Sequence, residues 1–133
     1  CKPISVELTY GLERLCMFIQ GKKNVFDLIW NNEGLLYKEV FYQAEKEFSK
    51  YNFEFANTDN LFKIFDMFEN EAKSLTENKL SLPAYDQCLK ASHVFNILDA
   101  RGVISVAERA GYISRIRDLS KGSGSVWLES QNK

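Results

Sequence analysis

The sequence is poor in the side chains that build disulfide frameworks and zinc sites. It has one histidine, His93, and three cysteines, Cys1, Cys16 and Cys88, with no C-x-x-C pair among them. An odd and widely spaced set of cysteines argues against both kinds of site. We therefore predict that no metal is bound by cysteine or histidine, and we expect a protein of the reducing cytoplasm.

Long apolar runs and an excess of charge of one sign are also missing. The longest apolar stretches are a few residues each, whereas a membrane-spanning helix needs about 20, and the start of the chain does not have the pattern of a signal peptide. Lysine and arginine total 17 against 18 aspartate and glutamate, a net charge of −1. We expect no membrane association, and any contact with nucleic acid has to be local.

The chain has the composition of an ordinary globular protein, because 45% of its 133 residues are hydrophobic. That fraction predicts a packed core, and the length corresponds to one domain or to a piece of a larger protein. Because the chain has no initiator methionine and soon enters a strand-like pattern, we interpret it as the C-terminal part of a longer protein.

Residues 4 to 10 alternate between apolar and polar side chains, which predicts a half-buried β-strand. Gly11 ends the alternation, and apolar residues then recur at helical spacing as far as Gly21, a natural helix C-cap. Because one strand cannot form a stable sheet, this strand must pair with strands that the chain lacks or with a second copy.

The remainder of the sequence is dominated by helical periodicity. A cluster at 31–34 reads as a turn, and stripes of apolar residues follow in four segments, the third beginning near Pro83 and the fourth at the capping box of Ser105 and Glu108. The predicted stripes contain Phe41, Ala44, Phe48 and Tyr51; Leu61, Ile64, Phe65, Phe68, Ala72 and Leu75; Ala84, Cys88, Ala91, Phe95 and Leu98; and Val106, Ala110, Ile113, Ile116 and Leu119. The predicted fold class is mainly α, a bundle of about four main helices after one strand and a short helix.

We predict three regions. Residues 1–21 form the strand-turn-helix unit, residues 22–121 form a C-terminal helical domain, and residues 122–133 form a flexible tail. The tail prediction rests on Gly122-Ser123-Gly124-Ser125, which is the composition of a flexible linker.

The stretch from Glu7 to Arg14 has the strongest indication of chemistry. Gly11 permits a tight turn and close approach of a ligand, and Arg14 stands in the first helical turn, where a guanidinium can grip a phosphate or stack on a purine. Glu7 and Thr9 point from one strand face and could offer a carboxylate to Mg²⁺ and a hydroxyl to a small substrate. On spacing alone, an ordinary solvated surface is the simpler interpretation of these residues, because the pattern G-x-E-R is short and common.

The motif Gly11-Leu12-Glu13-Arg14 after an alternating strand resembles motif 3 of class II aminoacyl-tRNA synthetases. Further blocks resemble the bacterial glycyl-tRNA synthetase alpha subunit in the same order, over roughly residues 1 to 121. They are residues 24–30, 51–54, 82–86 and 95–106.

This resemblance implies an antiparallel class II catalytic sheet on which glycine and ATP, with Mg²⁺, form glycyl-adenylate for attachment to tRNA(Gly). It implies that Arg14 contacts ATP, that Glu13 belongs to the same ATP-binding motif, and that Glu7 and Thr9 face the substrates. It also implies a beta subunit as partner, an alpha homodimer, and tRNA(Gly) bound mainly through the beta subunit. Motifs 1 and 2 of the family lie upstream of Cys1, so the resemblance implies an inactive fragment of an active subunit.

Basic residues outnumber acidic ones between residues 101 and 121, and Arg109, Arg115 and Arg117 form a possible interface for the beta subunit or tRNA. A solvated helix face is the simpler interpretation of the same residues. The alternative to a synthetase fragment is a non-catalytic helical module that binds protein or tRNA on the same scaffold.

Overall fold

A computed structural model of the chain describes residue 2 and residues 4–131. The elements, in order, are α1 (Leu12–Ile19), a 3-10 turn (Val25–Asp27), α2 (Tyr37–Lys50), a π-helical turn (Tyr51–Phe55), α3 (Thr58–Glu77), α4 (Ser81–Ala100) and α5 (Val106–Gln131). Contacts divide the chain into two compact units, an N-terminal unit that ends at Ser49 and a C-terminal unit that begins at Lys50. The mainly α fold class is thereby confirmed.

The predicted strand at residues 4–10 is not confirmed, because these residues adopt no regular secondary structure. Their alternating apolar side chains are mostly solvent-exposed, from 88% at Ile4 to 69% at Tyr10. A strand requires hydrogen bonds to a neighbouring strand, and within the described residues the only β pairing is an isolated bridge between Ile29 and Leu36.

The N-terminal unit joins α1 to the segment that leads into α2. Leu28 is the one buried residue in the described part of this unit, and the turn after it is closed by Asn31, whose Oδ1 accepts hydrogen bonds from the backbone N–H groups of Glu33 and Leu35, both at 3.1 Å. The predicted turn at 31–34 is confirmed. The boundary between the two compact units falls after residue 49, and the predicted domain boundary after residue 21 stays a prediction.

The C-terminal unit consists of α3, α4 and α5 packed around one core. Phe65 on α3 and Leu98 on α4 are its largest fully buried side chains. Asn57 caps α3 by accepting a hydrogen bond from the Asn60 N–H at 2.9 Å, because the first N–H groups of a helix have no partner within it. The five residues predicted for the α4 stripe are all buried: Ala84, Cys88, Ala91, Phe95 and Leu98.

The capping box at the start of α5 is confirmed. The backbone N–H of Ser105 donates to Glu108 Oε2 at 3.0 Å, and the Glu108 N–H donates to Ser105 Oγ at 3.2 Å. Val106, which the stripe placed on the buried face, is instead 91% exposed, because Ile104 before the cap closes this end of the core.

The prediction of a flexible tail is wrong for residues 122–131, which continue α5. Ser123 and Val126 are buried there, and the Ser123 hydroxyl donates to the backbone oxygen of Leu119 at 2.9 Å. A Cβ at Gly122 would lie 3.4 Å from Cγ2 of Thr76 on α3, so small residues permit a close approach of the two helices. Residues 132 and 133 lie outside the described part of the chain.

Across the described residues, we find no helix with both the length and the apolar character required to traverse a bilayer.

Candidate functional site

The predicted site begins at the glycine that precedes α1. Gly11 has φ of +75°, a backbone conformation that side chains with a Cβ rarely adopt, and its carbonyl accepts the hydrogen bond of the Leu15 N–H at 3.2 Å. The positive φ turns the extended segment into the first helical turn. Glycine at this position therefore has the backbone role that the motif predicts.

Arg14 lies in that first turn, beside the glycine. A Cβ at Gly11 would be 3.9 Å from both Cγ and Cδ of Arg14, so the aliphatic stem of the arginine lies close to the turn. Arg14 is exposed, and within the described part of the chain its guanidinium forms no ion pair. Such a group keeps its planar set of donors available for a phosphate or for stacking on a base.

Glu7 and Thr9 are brought together by a direct hydrogen bond, in which the Thr9 hydroxyl donates to Oε1 of Glu7. Both residues are exposed, and their two-residue spacing puts them on one side of an extended segment. The hydrogen bonds and ion pairs of the described residues do not join either side chain to Arg14. The carboxylate of Glu7 keeps an oxygen available for a cation or an ammonium group.

Glu13 lies elsewhere, at the edge of a pocket of about 240 Å³ between α1 and the segment that leads into α2. Tyr37 lines the same pocket. Partial burial of Tyr37, followed by the nearby Glu13 and Glu45 carboxylates, raises the pKa of the phenol above its ordinary value. The structure therefore places Glu13 beside Tyr37, at a helix position about 100° around from Arg14.

No motif in the sequence singles out this pocket. Its wall is an aromatic cluster in which the Trp30 and Phe41 rings have centroids 5.1 Å apart and the Tyr37 and Phe41 rings 4.6 Å apart. Cys16 also lines it. The available signal was the pair of aromatic residues, Trp30 and Tyr37, on either side of the turn at 31–34.

A side-chain clamp fixes α1 against the following segment. Gln20, the C-cap of α1, donates from Nε2 to the Ile29 carbonyl at 3.0 Å and accepts the Ile29 N–H on Oε1 at 2.8 Å. Because α1 carries Arg14 and Glu13, this clamp sets the position of the site residues relative to the aromatic cluster.

The three arginines predicted as an interface have different surroundings. Arg115 packs inside the C-terminal unit: its Nε donates to Glu69 at 3.1 Å, its Nη2 donates to Asp66 at 2.6 Å and also to Glu69, and the guanidinium carbon lies 4.5 Å from the centre of the Phe65 ring. The Glu69 side chain is only 8% exposed. Hydrogen bonding by Arg115 lowers the pKa of Glu69, and the same bonds raise the pKa of Arg115.

Arg109 and Arg117 are more accessible. Arg109 Nε lies 3.1 Å from Asp99, so it ties the start of α5 to the end of α4. Arg117 is exposed and has no ion-pair partner in the described ranges. Of the three, Arg117 alone lacks an ion-pair partner among the described residues of the C-terminal unit.

Residues able to bind a metal do not cluster in the described part of the chain, where no three histidine, cysteine, aspartate or glutamate side chains come together as a site. His93 lies on the exposed side of α4, and Cys88 is buried, which raises the pKa of its thiol.

Comparison with protein families gives a match along almost the whole chain. The model of the family described as "Glycyl-tRNA synthetase alpha subunit" matches residues 1–132. The match includes both the glycine-arginine turn at the start of α1 and the three helices of the C-terminal unit.

Proposed function

The chain belongs to the glycyl-tRNA synthetase alpha subunit family, and from that membership we propose that it takes part in the ATP-dependent activation of glycine. Aminoacyl-tRNA synthetases are ligases of protein biosynthesis that use ATP. The proposed reaction is attack of the glycine carboxylate on the α-phosphorus of ATP, which releases pyrophosphate and forms glycyl-adenylate for transfer to tRNA(Gly). The architecture proposed for this step is that of class II synthetases.

Arg14 is the residue whose geometry best supports the proposal. Its guanidinium is exposed, lies beside the positive-φ turn at Gly11, and forms no ion pair in the described residues. We assign it to ATP, where a planar cation can stack on adenine or neutralise the γ-phosphate as charge develops on the leaving pyrophosphate.

Glu7 and Thr9 are assigned to the substrate side of the same site. Their hydrogen bond orients the carboxylate, which can hold the ammonium group of glycine or an Mg²⁺ ion that accompanies ATP. Glu13 is assigned to the motif as a residue that positions α1, because its carboxylate lies beside Tyr37 in the pocket. Mg²⁺ would supply charge neutralisation on the pyrophosphate.

The exposed apolar residues of the N-terminal unit are consistent with a catalytic sheet outside this sequence. Ile4, Val6, Leu8 and Tyr10 are all at least 69% exposed, an unfavourable state for a row of large side chains. We propose that they pack in the class II sheet of the intact subunit. The arginine of motif 2 would also come from outside residues 1–133, so the isolated chain is expected to be inactive.

Alpha subunits of this family act with a beta subunit. We propose further that the intact alpha subunit forms a homodimer, that tRNA(Gly) is bound mainly through the beta subunit, and that the complex acts in the cytoplasm.

The test is glycine-dependent exchange of pyrophosphate into ATP by the intact subunit. Arg14→Ala is expected to lower kcat/KM for ATP by the factor that corresponds to a loss of about 2–4 kcal/mol of transition-state stabilisation. Arg14→Lys is expected to restore little of the lost kcat/KM, because an ammonium group has no planar set of donors. Lys38→Ala, an exposed cation of α2 in the same unit, is the control. Wild-type kinetics in Arg14→Ala would remove Arg14 from the site, and no exchange by the wild-type subunit would favour the non-catalytic binding module.

A further inference from the structure

Helix α1 contacts the rest of its unit through one narrow face. None of its residues is buried, and the two that are half-buried, Cys16 and Met17, lie on the same side as the half-buried C-cap residue Gln20. The opposite side is apolar but exposed, at 87% for Phe18 and 79% for Ile19. Because a helix of this length is marginally stable alone in water, the contacts of the narrow face determine where α1 lies.

The partner of Gln20 is a fixed piece of backbone. Hydrogen bonds join the residues on either side of Ile29 to the chain that follows the turn at 31–34. These backbone pairs are Leu28 with Tyr37, at 2.8 Å, and Trp30 with Leu35, at 2.6 Å. The backbone groups of Ile29 point the other way, as alternate residues do in a strand pair, and both bond to Gln20. The clamp therefore ties α1 to a segment that its own hydrogen bonds hold in place.

The same face of α1 carries a second polar side chain near its other end. Glu13 is seven residues before Gln20, close to two helical turns, so the two side chains lie along one line of the helix. Glu13 lines the pocket that Tyr37 also lines. Burial of apolar surface has no preferred direction, whereas hydrogen bonds have one. The rotation of α1 about its own axis is therefore set mainly by these polar contacts.

Arg14 is sensitive to that rotation. Its guanidinium is at the end of a long side chain, so a small rotation of α1 moves the charge farther than it moves the backbone. A displacement of about 1 Å can cost an enzyme about a hundredfold in rate. We propose that Gln20 is a positioning residue for the use of ATP: by bonding to Ile29 it holds α1 in the rotation that presents Arg14 to the nucleotide. The inference rests on the proposed function for the contact between Arg14 and ATP.

The proposal predicts different effects on the two substrates. Glu7 and Thr9, which the proposed function places on the substrate side, precede Gly11 and are not part of α1. Loss of the clamp should therefore change the kinetics for ATP and leave KM for glycine nearly unchanged. General damage to the fold would affect both substrates.

The test measures glycine-dependent pyrophosphate exchange by the intact alpha subunit in complex with the beta subunit. Gln20→Ala is expected to lower kcat/KM for ATP about tenfold, less than Arg14→Ala does, because only two hydrogen bonds are lost. KM for glycine should stay within about twofold of wild type. Gln20→Glu keeps an acceptor for the Ile29 N–H but loses the donor to the Ile29 carbonyl, so its effect should be smaller. Gln43→Ala, the same change at an exposed residue of α2, is the control and should match wild type.

A double-mutant cycle separates positioning from general structural support. Because Gln20 is proposed to act through Arg14, Gln20→Ala should lower kcat/KM by less than about twofold further when Arg14 is already alanine. A further tenfold loss in that background would overturn the proposal and make Gln20 a structural residue. Wild-type ATP kinetics in Gln20→Ala, or an equal loss in Gln43→Ala, would also overturn it. The same cycle with Gln20→Glu gives the answer where Gln20→Ala does not fold.

Failure of the proposed function gives a different result. A wild-type complex without exchange, or wild-type kinetics in Arg14→Ala, would overturn the function or the assignment of Arg14, and this proposal with it. A large loss in Arg14→Ala together with none in Gln20→Ala would overturn the positioning role alone.

Discussion

The side-chain amide of Gln20 pairs with the backbone of Ile29 in both directions, through one donated and one accepted hydrogen bond of 3.0 and 2.8 Å. This is the pattern with which a neighbouring strand would satisfy the same backbone groups. The side chain of Gln20 therefore satisfies the backbone groups of Ile29 as a neighbouring strand would. The same two bonds fix α1, which carries Arg14, against the segment that contains Ile29.

Gln20→Ala is expected to release Ile29. The variant loses the hydrogen bond from the Ile29 N–H to Gln20 Oε1, which lowers the free energy of local opening by about 1 kcal/mol and makes opening roughly fivefold more frequent. Hydrogen exchange of the Ile29 amide should therefore accelerate by that factor. Gln43→Ala is the control, because among the described residues the Gln43 side chain bonds only to the Glu47 side chain, on the exposed face of α2. Equal Ile29 exchange in the two variants would show that the clamp contributes nothing in solution.

Arg115→Gln and Arg117→Gln are expected to differ, although the two residues are close in sequence. The first leaves the buried Glu69 without its main partner and should lower the free energy of unfolding by about 2–3 kcal/mol, less than for a fully buried pair because Arg115 is 34% exposed. The second should stay within about 0.5 kcal/mol of wild type. Urea unfolding followed by circular dichroism gives both values, and similar losses in the two variants would contradict the buried network.

Acid should weaken the C-terminal unit through Glu69. Its pKa is lowered in the folded protein, chiefly by hydrogen bonding from Arg115 and further by Lys73, so its contribution to stability is complete above the ordinary value of 4.5 and declines as pH falls through the folded pKa. Glu69→Gln should reduce stability at pH 7 and show a flatter decline below pH 4.5. Melting temperatures from pH 7 downward test this, and parallel curves for the two proteins would refute it.

Leucine at Gly122 and at Gly124 should have opposite consequences. Because Thr76 Cγ2 already lies 3.4 Å from the Cβ position of residue 122, Gly122→Leu should force α3 and α5 apart and cost about 1–3 kcal/mol. Gly124 faces open space, so Gly124→Leu should gain up to about 1 kcal/mol from helix propensity. Thermal unfolding of the pair measures the difference, and equal melting temperatures would mean that residue 122 is not at a close contact.

Features set by neighbouring residues could be predicted from the sequence. The capping box of Ser105 and Glu108, the turn at 31–34 and the buried stripe of α4 all depend on groups a few residues apart. The end of α5 could not be predicted in this way. Gly122 and Ser123 have the composition of a linker, but the small size of Gly122 permits a close approach to Thr76 on another helix.

The candidate site divides in the same way. Gly11 and Arg14 are adjacent in the chain, and a strand-to-helix turn predicts both the positive φ and the place of the arginine. The position of Glu13 beside Tyr37 depends on a longer loop, and the pairing of Arg115 with the buried Glu69 joins residues that are 46 positions apart. Spacing alone showed a run of basic residues there, and it had no means of separating Arg115 from Arg117.

Residues 78–80 join α3 to α4, and residues 101–105 join α4 to α5. Short connections keep the entropy of loop closure small, and helical bundles built from such local contacts fold in about microseconds to milliseconds. Because these connections are short, α3 and α4 can pair before α5 docks. Before α5 docks, Lys73 is the cation beside the Glu69 carboxylate, because it lies one turn along the same helix at 3.1 Å. Arg115 pairs with Glu69 only when α5 packs against α3.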